Sequence, residues 1–196
     1  MTTIIDGGHG IQLHVEEGEL RRRCGDCQLC CKLVPVANLG KPAGQRCKYQ
    51  RVGKGCTVHA RLATISNACL MWNCRWLVQN DTADLRRPDR SHYVLDVMPD
   101  YITIRNNETG TAEYVEVVQI WVDPNYPEAH RDPALRAYIE RRSHEGVAVL
   151  IRWDNTKGMV IFAPAMSGDR EWHEVTQALS SEQHSMADVA KALGAA

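Results

Sequence analysis

The segment Cys24-Gly-Asp-Cys-Gln-Leu-Cys-Cys31 places four thiols in eight residues, and Cys47, Cys56, Cys69 and Cys74 bring the total to eight. The pattern is C-x2-C-x2-C-C, followed by intervals of 15, eight, 12 and four residues. Thiolates are soft ligands that suit zinc and iron–sulfur clusters alike. Eight of them suffice for two tetrahedral sites, or for one cluster with ligands to spare. A C-x2-C pair fits a knuckle loop in which two sulfurs grip one metal while backbone amides donate to them. If residues 24–31 were helical instead, their thiols would fall within an arc of about 120° and line one face of two turns. The run is similar to ferredoxin-type ligation, with an immediate fourth cysteine in place of the usual x3-C-P continuation. The expected metal ligands are Cys24, Cys27, Cys30, Cys31, Cys47, Cys56, Cys69 and Cys74, holding an iron–sulfur cluster or zinc.

Other chemistry-bearing residues are sparse. His59 stands three residues after Cys56 in G-C-T-V-H and could join a mixed thiolate and imidazole site, although the thiols suffice without it. His92, His130, His144 and His173 are scattered and read as surface or hydrogen-bonded histidines. Trp72 and Trp76, four apart beside Cys69 and Cys74, read as core residues packing a dry shell around the metal. Asp123-Pro-Asn-Tyr-Pro127 reads as a turn. No dinucleotide fingerprint, phosphate loop or nucleophile elbow occurs, so no particular reaction is indicated.

Net charge is −1, yet residues 20–90 hold 14 Lys and Arg against four Asp and Glu. Such an excess could present Arg21, Arg22, Arg23, Lys48, Arg51 and Lys54 to nucleic acid or another anionic partner. It could equally balance the thiolates, since metal-bound thiols are deprotonated outright. The second reading is preferred, because eight thiolate charges nearly match the excess. The N-terminal stretch MTTIIDGGHGIQLHVEEGELRRR lacks an apolar run behind basic residues, and no stretch approaches the length of a membrane span. A reducing cytoplasm is the expected home, where clustered cysteines serve as ligands or redox groups more often than as disulfides.

These residues must be positioned by the elements around them. Residues 1–20 read as a strand-like lead-in, with Ile11, Leu13 and Val15 alternating with polar neighbours. Residues 21–80 form a cysteine-rich module whose loops NLGKPAGQ and RVGKG separate the ligands. Having few apolar runs, it needs a metal as its staple. From 91 to 196 the composition turns to β-branched runs: YVLDVMP, YITIRNN, EYVEVVQIWV, VAVLIRW and GMVIFAP. NNETG and DNTKG read as hairpin turns. DPALRAYIERRSHEG predicts a helix with Asp132 as N-cap, Pro133 at its first position and Gly146 past its end. SSEQHSMADVAKALG predicts another, closed by Gly194. The expected class is α+β: a small irregular or helical module joined to an antiparallel sheet covered by helices.

The spacing resembles the zinc- or iron-chelating cysteine-cluster proteins, the YkgJ-like family. An early C-x2-C-x2-C-C, a later single cysteine, a Gly-Cys pair and two closing cysteines correspond to Cys24, Cys27, Cys30, Cys31, Cys47, Gly55-Cys56, Cys69 and Cys74. The resemblance covers about residues 21–77. The family commonly has tyrosine where His59 stands and Arg-Pro before the next cysteine, whereas Arg61 here is followed by LATISNA. The resemblance implies metal binding by all eight cysteines, and one branch, similar to flagellin lysine N-methylases, implies an iron–sulfur cluster and methyl transfer. Two further readings stay open. One is a methyltransferase-like or redox enzyme acting on a protein or a small anionic substrate. The other is a structural-zinc module that binds nucleic acid or protein.

Overall fold

The computed structural model describes residues 2–6, 12–16, 22–96, 100–105, 109–154, 157–162 and 173–178. The lead-in is an antiparallel hairpin of β1 (Thr2–Asp6) and β2 (Gln12–Glu16), in register with Ile4 opposite His14. The cysteine segment follows as a string of short pieces: α1 (Leu29–Leu33), β3 (Gln50–Arg51), β4 (Gly55–Cys56), α2 (Leu62–Ile65), α3 (Asn67–Met71), α4 (Arg75–Val78) and α5 (Pro88–Ser91). None exceeds five residues. Helices this short are not stable by themselves in water, so their conformation depends on side-chain packing and capping.

The sheet is built from β5 (Tyr93–Leu95), β6 (Asp100–Arg105), β7 (Ala112–Val122), β8 (Ala148–Arg152), β9 (Lys157–Phe162) and β10 (His173–Ala178), with α6 (Pro133–His144) between β7 and β8. Strand order is β10-β9-β8-β7-β5, and β6 pairs with the first half of the long β7. The class is α+β, as expected. Every pairing in this sheet is antiparallel except β7 with β8, where Val117 lies opposite Ala148 in a parallel ladder. The physical reason is α6: a helix between two neighbouring strands carries the chain back to the end where the first strand began.

Helix α6 forms as its residues predict. The Asp132 carboxylate accepts from the Ala134 amide at 2.9 Å, Pro133 occupies the first turn, and Gly146 takes φ +81° just past the end. Strands β6 and β7 flank the NNETG turn and β8 and β9 flank DNTKG; residues 106–108 and 155–156 of those turns lie outside the described residues, as does the helix expected over 180–194. The turn at Asp123 is present, with the Asn125 amide donating to its carboxylate at 2.9 Å and the Tyr126 amide to its carbonyl at 2.8 Å.

The sheet is covered on both faces, which explains why Ala148, Val149, Leu150 and Ile151 are all buried instead of alternating with polar residues. On one face Tyr93, Leu95, Val118, Ile120, Val122, Val149 and Ile151 pack against Leu135, Tyr138 and Ile139 of α6. On the other, Val94 and Trp121 pack against Leu33, Ala43 and Cys74, with Leu29, Cys30, Val34, Trp72 and Leu77 around them. The period-two alternation along β5 and β7 thus separates two cores. The cysteine segment is the second layer's cover, and its main apolar cluster is shared with the sheet.

Candidate metal centre

The first two cysteines sit on a tight turn, not a helix. The Cys27 amide donates to the Cys24 carbonyl at 2.9 Å, and Gly25 between them adopts φ +57°, where a side chain would be strained and would meet the Arg87 guanidinium at 3.1 Å. Arg87 braces the turn from outside, pairing with Asp26 and with Asp89, each at 2.7 Å. Helix α1 begins only at Leu29, so Cys30 and Cys31 alone have helical spacing. Both conformations weighed for residues 24–31 therefore occur, a knuckle turn for the first pair and a helix for the second.

The remaining cysteines return to α1 from distant points of the chain. The loop after α1 folds back through an antiparallel bridge between Val36 and Lys41, and the Cys47 amide then donates to the Cys31 carbonyl at 3.1 Å. The Gln50 amide donates to the Cys47 carbonyl at 2.9 Å, and Gln50 pairs with Cys56 across the β3–β4 ladder. Cys69 lies in the first turn of α3, where its amide donates to the capping Ser66 hydroxyl at 3.3 Å. That hydroxyl in turn donates to the Asn38 side chain at 3.0 Å, which holds α3 against the loop carrying Lys41. Cys74 precedes α4, bridges to Asp96 at the end of β5, and is buried. Arg22 holds the start of the segment to the same place: its guanidinium donates to the Trp76 carbonyl at 2.6 Å and to Thr82, and lies 4.6 Å from the Trp76 ring centroid.

All eight cysteines are free thiols. The protein environment favours their protonated forms at most positions. Burial pushes Cys74 up to about 12, against the Trp76 and Leu77 amides, which face its sulfur without closing a capping bond. Burial also raises Cys27 and Cys56, opposed by the amides of Leu29 and Asp89 at the first and of Val58 at the second. Cys24 is exposed as a residue, yet desolvation of its sulfur raises its pKa, followed by the charges of Cys27 and Cys31. Cys30 and Cys31 act as a pair. The Cys30 thiol donates toward Cys31, which falls to about 7 with further help from Lys41, while Cys30 is held well above its usual value. Amide donors at Cys27, Cys56 and Cys74, each from the residue two positions on, are the arrangement that stabilises a metal-bound thiolate.

Lys41 was not marked by the sequence. Its ammonium is buried and donates to the carbonyls of Lys32, Val34 and Pro42 at 3.0, 2.5 and 3.2 Å. Burial lowers its pKa, and the charges of Cys47, Cys31, Cys30 and Cys69 act in the opposite direction. A lysine in LGKPAG looks like a solvated loop residue, and only the fold-back of the chain reveals it as a cation among thiols. Lys32 is likewise committed: it meets the buried Asp123 carboxylate at 2.5 and 2.7 Å, tying α1 to the end of β7.

In donor chemistry the site fits a thiophilic metal, since every donor is a free thiol and amides and cations surround them. Among the described residues, however, no three His, Cys, Asp or Glu side chains converge as a ready-made metal site. A bound metal would have to draw the sulfurs the remaining distance inward. His59 is exposed on a short 3₁₀ turn over His59–Arg61. His92 stacks on Tyr126 at 3.6 Å, His130 is buried with its Nδ1 2.8 Å from the Pro127 carbonyl, and His144 ends α6, exposed. Of the basic residues considered for an anionic partner, Arg22 is turned inward onto Trp76 and Thr82, whereas Arg23, Lys48, Arg51 and Lys54 are exposed. Among the described residues no helix is long and apolar enough to cross a membrane. No known family model, curated protein or solved structure matches the chain.

Proposed function

We propose that this chain is a metal-binding protein whose eight cysteines coordinate an iron–sulfur cluster or zinc, as the resemblance to the YkgJ-like proteins implies. The observation that carries the reading is the return of Cys47, Cys56, Cys69 and Cys74 to the neighbourhood of the Cys24–Cys31 segment, with amides facing three of the sulfurs and Lys41 among four. Backbone amides and a buried ammonium stabilise negative charge, and metal-bound thiols carry that charge because coordination deprotonates them outright. A cytoplasmic, reducing setting suits such a site. Neither the enzyme reading nor the nucleic-acid reading has a specific feature in its favour.

The test is anaerobic purification followed by elemental analysis for iron, zinc and acid-labile sulfide, with free thiols counted before and after a strong chelator. Bound metal and a set of thiols that become reactive only on chelation are expected, because coordination removes both proton and nucleophilicity. Cys27→Ser and Cys31→Ser should each lower metal content. Full metal content in both variants, or no gain of thiols on chelation, would overturn the reading.

A further inference from the structure

We propose that the β3–β4 hairpin is a docking tip for an anionic lipid surface. Val52 enters the headgroup boundary, and Lys48, Arg51 and Lys54 meet lipid phosphates around it. The inference is independent of the metal-binding reading.

Between residues 27 and 80 the chain holds no Asp or Glu, so the cations there have no acidic neighbour in that segment. Those turned inward find partners all the same: Lys32 meets Asp123, Lys41 meets three carbonyls, and Arg75 meets Asp81 at 2.8 Å. Arg46, Lys48, Arg51, Lys54 and Arg61 are exposed instead, and none of them forms an ion pair among the described residues. Around α6, by contrast, the exposed Arg86, Arg131 and Arg141 pair with Asp132, Glu128 and Asp84. The unpaired set is a surface whose complement is an anion from outside the chain.

The shape of the hairpin says which anion. The Lys54 amide donates to the Arg51 carbonyl at 2.9 Å, closing a tight turn in which Gly53 takes φ +74°. Val52, the second residue of that turn, is 74% exposed. A Cβ added at Gly53 or Gly55 would meet nothing within 4 Å, so the turn projects into open space. Its base is fixed, because the Gln50 side chain donates to the Gln28 side chain at 3.0 Å and the Gln50 amide to the Cys47 carbonyl at 2.9 Å. A braced turn thus carries an aliphatic side chain at its apex with a cation on either side. The headgroup boundary of a bilayer accepts both, the aliphatic group toward the acyl chains and the cations at the phosphates. Nucleic acid would engage the cations but not Val52, which offers neither a stacking plane nor a hydrogen-bonding group. The neighbouring Tyr49 ring already carries the Lys48 ammonium 5.2 Å from its centroid.

The full chain is sedimented with vesicles of phosphatidylcholine mixed with phosphatidylglycerol, and with vesicles of phosphatidylcholine alone. Binding to the mixed vesicles only, weakening as salt is raised, is expected. Each cation at an anionic surface contributes about fivefold in partitioning, so Arg51→Gln with Lys54→Gln should weaken binding about 25-fold. Arg131→Gln with Arg141→Gln removes the same charge beside α6 and should weaken it far less. Val52→Ser should weaken binding several-fold, and Val52→Leu should at least match the wild type. The comparison of the two vesicle types needs no variant, so it decides even where a variant fails to fold. No binding to the mixed vesicles, equal losses from the two arginine and lysine pairs, or unchanged binding in Val52→Ser overturns the proposal. Retention of a random-sequence oligonucleotide without vesicle binding overturns it too and assigns the cations to nucleic acid. None of these readouts measures metal, so their failure leaves the metal-binding reading standing.

Discussion

Lys41 places a cation where two needs meet, the carbonyls at the end of α1 and the nearby sulfurs of Cys47, Cys31, Cys30 and Cys69. Replacing it with Met keeps most of the apolar stem but leaves the carbonyls of Lys32, Val34 and Pro42 without their donor. Lys41→Met should therefore lower stability by about 3 kcal/mol in urea unfolding, with metal retention falling as well. Unchanged stability would show that water replaces the ammonium. Cys74 gives the pH dependence. Its folded value of about 12 lies above the ordinary 9.0, so the metal-free fold keeps a proton that the unfolded chain releases. Stability from this thiol is fully present below pH 9 and is lost as pH rises toward 12, a loss on the order of 1 kcal/mol by pH 10. Comparing urea midpoints at pH 8 and pH 10 in metal-free wild type and metal-free Cys74→Ala checks it, and the variant should show the smaller fall. At this scale the sequence revealed the thiols and their spacing. It could not reveal Lys41 or the Lys32–Asp123 pair, because a buried lysine and an exposed one are spelled alike and their partners come from other segments.

Helix α1 has five residues and carries Cys30 and Cys31, two of the proposed ligands, so something outside it must hold it in place. The Lys32–Asp123 pair does so, linking the fourth residue of the helix to the end of β7; the two side chains are 12% and 5% exposed. Removing one member strands a buried charge. Asp123→Ala should lower stability by about 3–5 kcal/mol and weaken metal retention, whereas Lys32→Met with Asp123→Leu should recover most of the stability. A double variant as unstable as the single one would refute this account. Legibility at this scale depended on local signals. Helix α6 was readable because Asp132, Pro133 and Gly146 each satisfy a backbone demand at a helix end. Strands β5 to β9 were readable from their β-branched runs, but the direction of β8 against β7 was not, since an apolar strand looks the same in either direction. The start of α1 was hidden because the thiols' helical spacing continues through a turn that Gly25 makes with a positive φ.

The molecule as a whole is layered: α6 on one face of the sheet, the cysteine segment on the other. Because Cys30 and Cys74 share a core with Val94 and Trp121, the proposed metal binding would be coupled to sheet packing. Trp121→Ala, in β7 and outside the cysteine segment, should cost about 3–5 kcal/mol and also lower metal retention. Full metal retention in a destabilised Trp121→Ala chain would show that the cysteine segment keeps its ligands in place without the sheet.

The tryptophans that seal this layer have a spectroscopic consequence. Trp72, Trp76 and Trp121 all border the cluster that contains Cys30 and Cys74. An iron–sulfur chromophore absorbs where indoles emit and would accept their excitation at such close range, while zinc is closed-shell and colourless. A chain loaded with iron and sulfide would therefore show weaker tryptophan emission than the same chain loaded with zinc, with no added label.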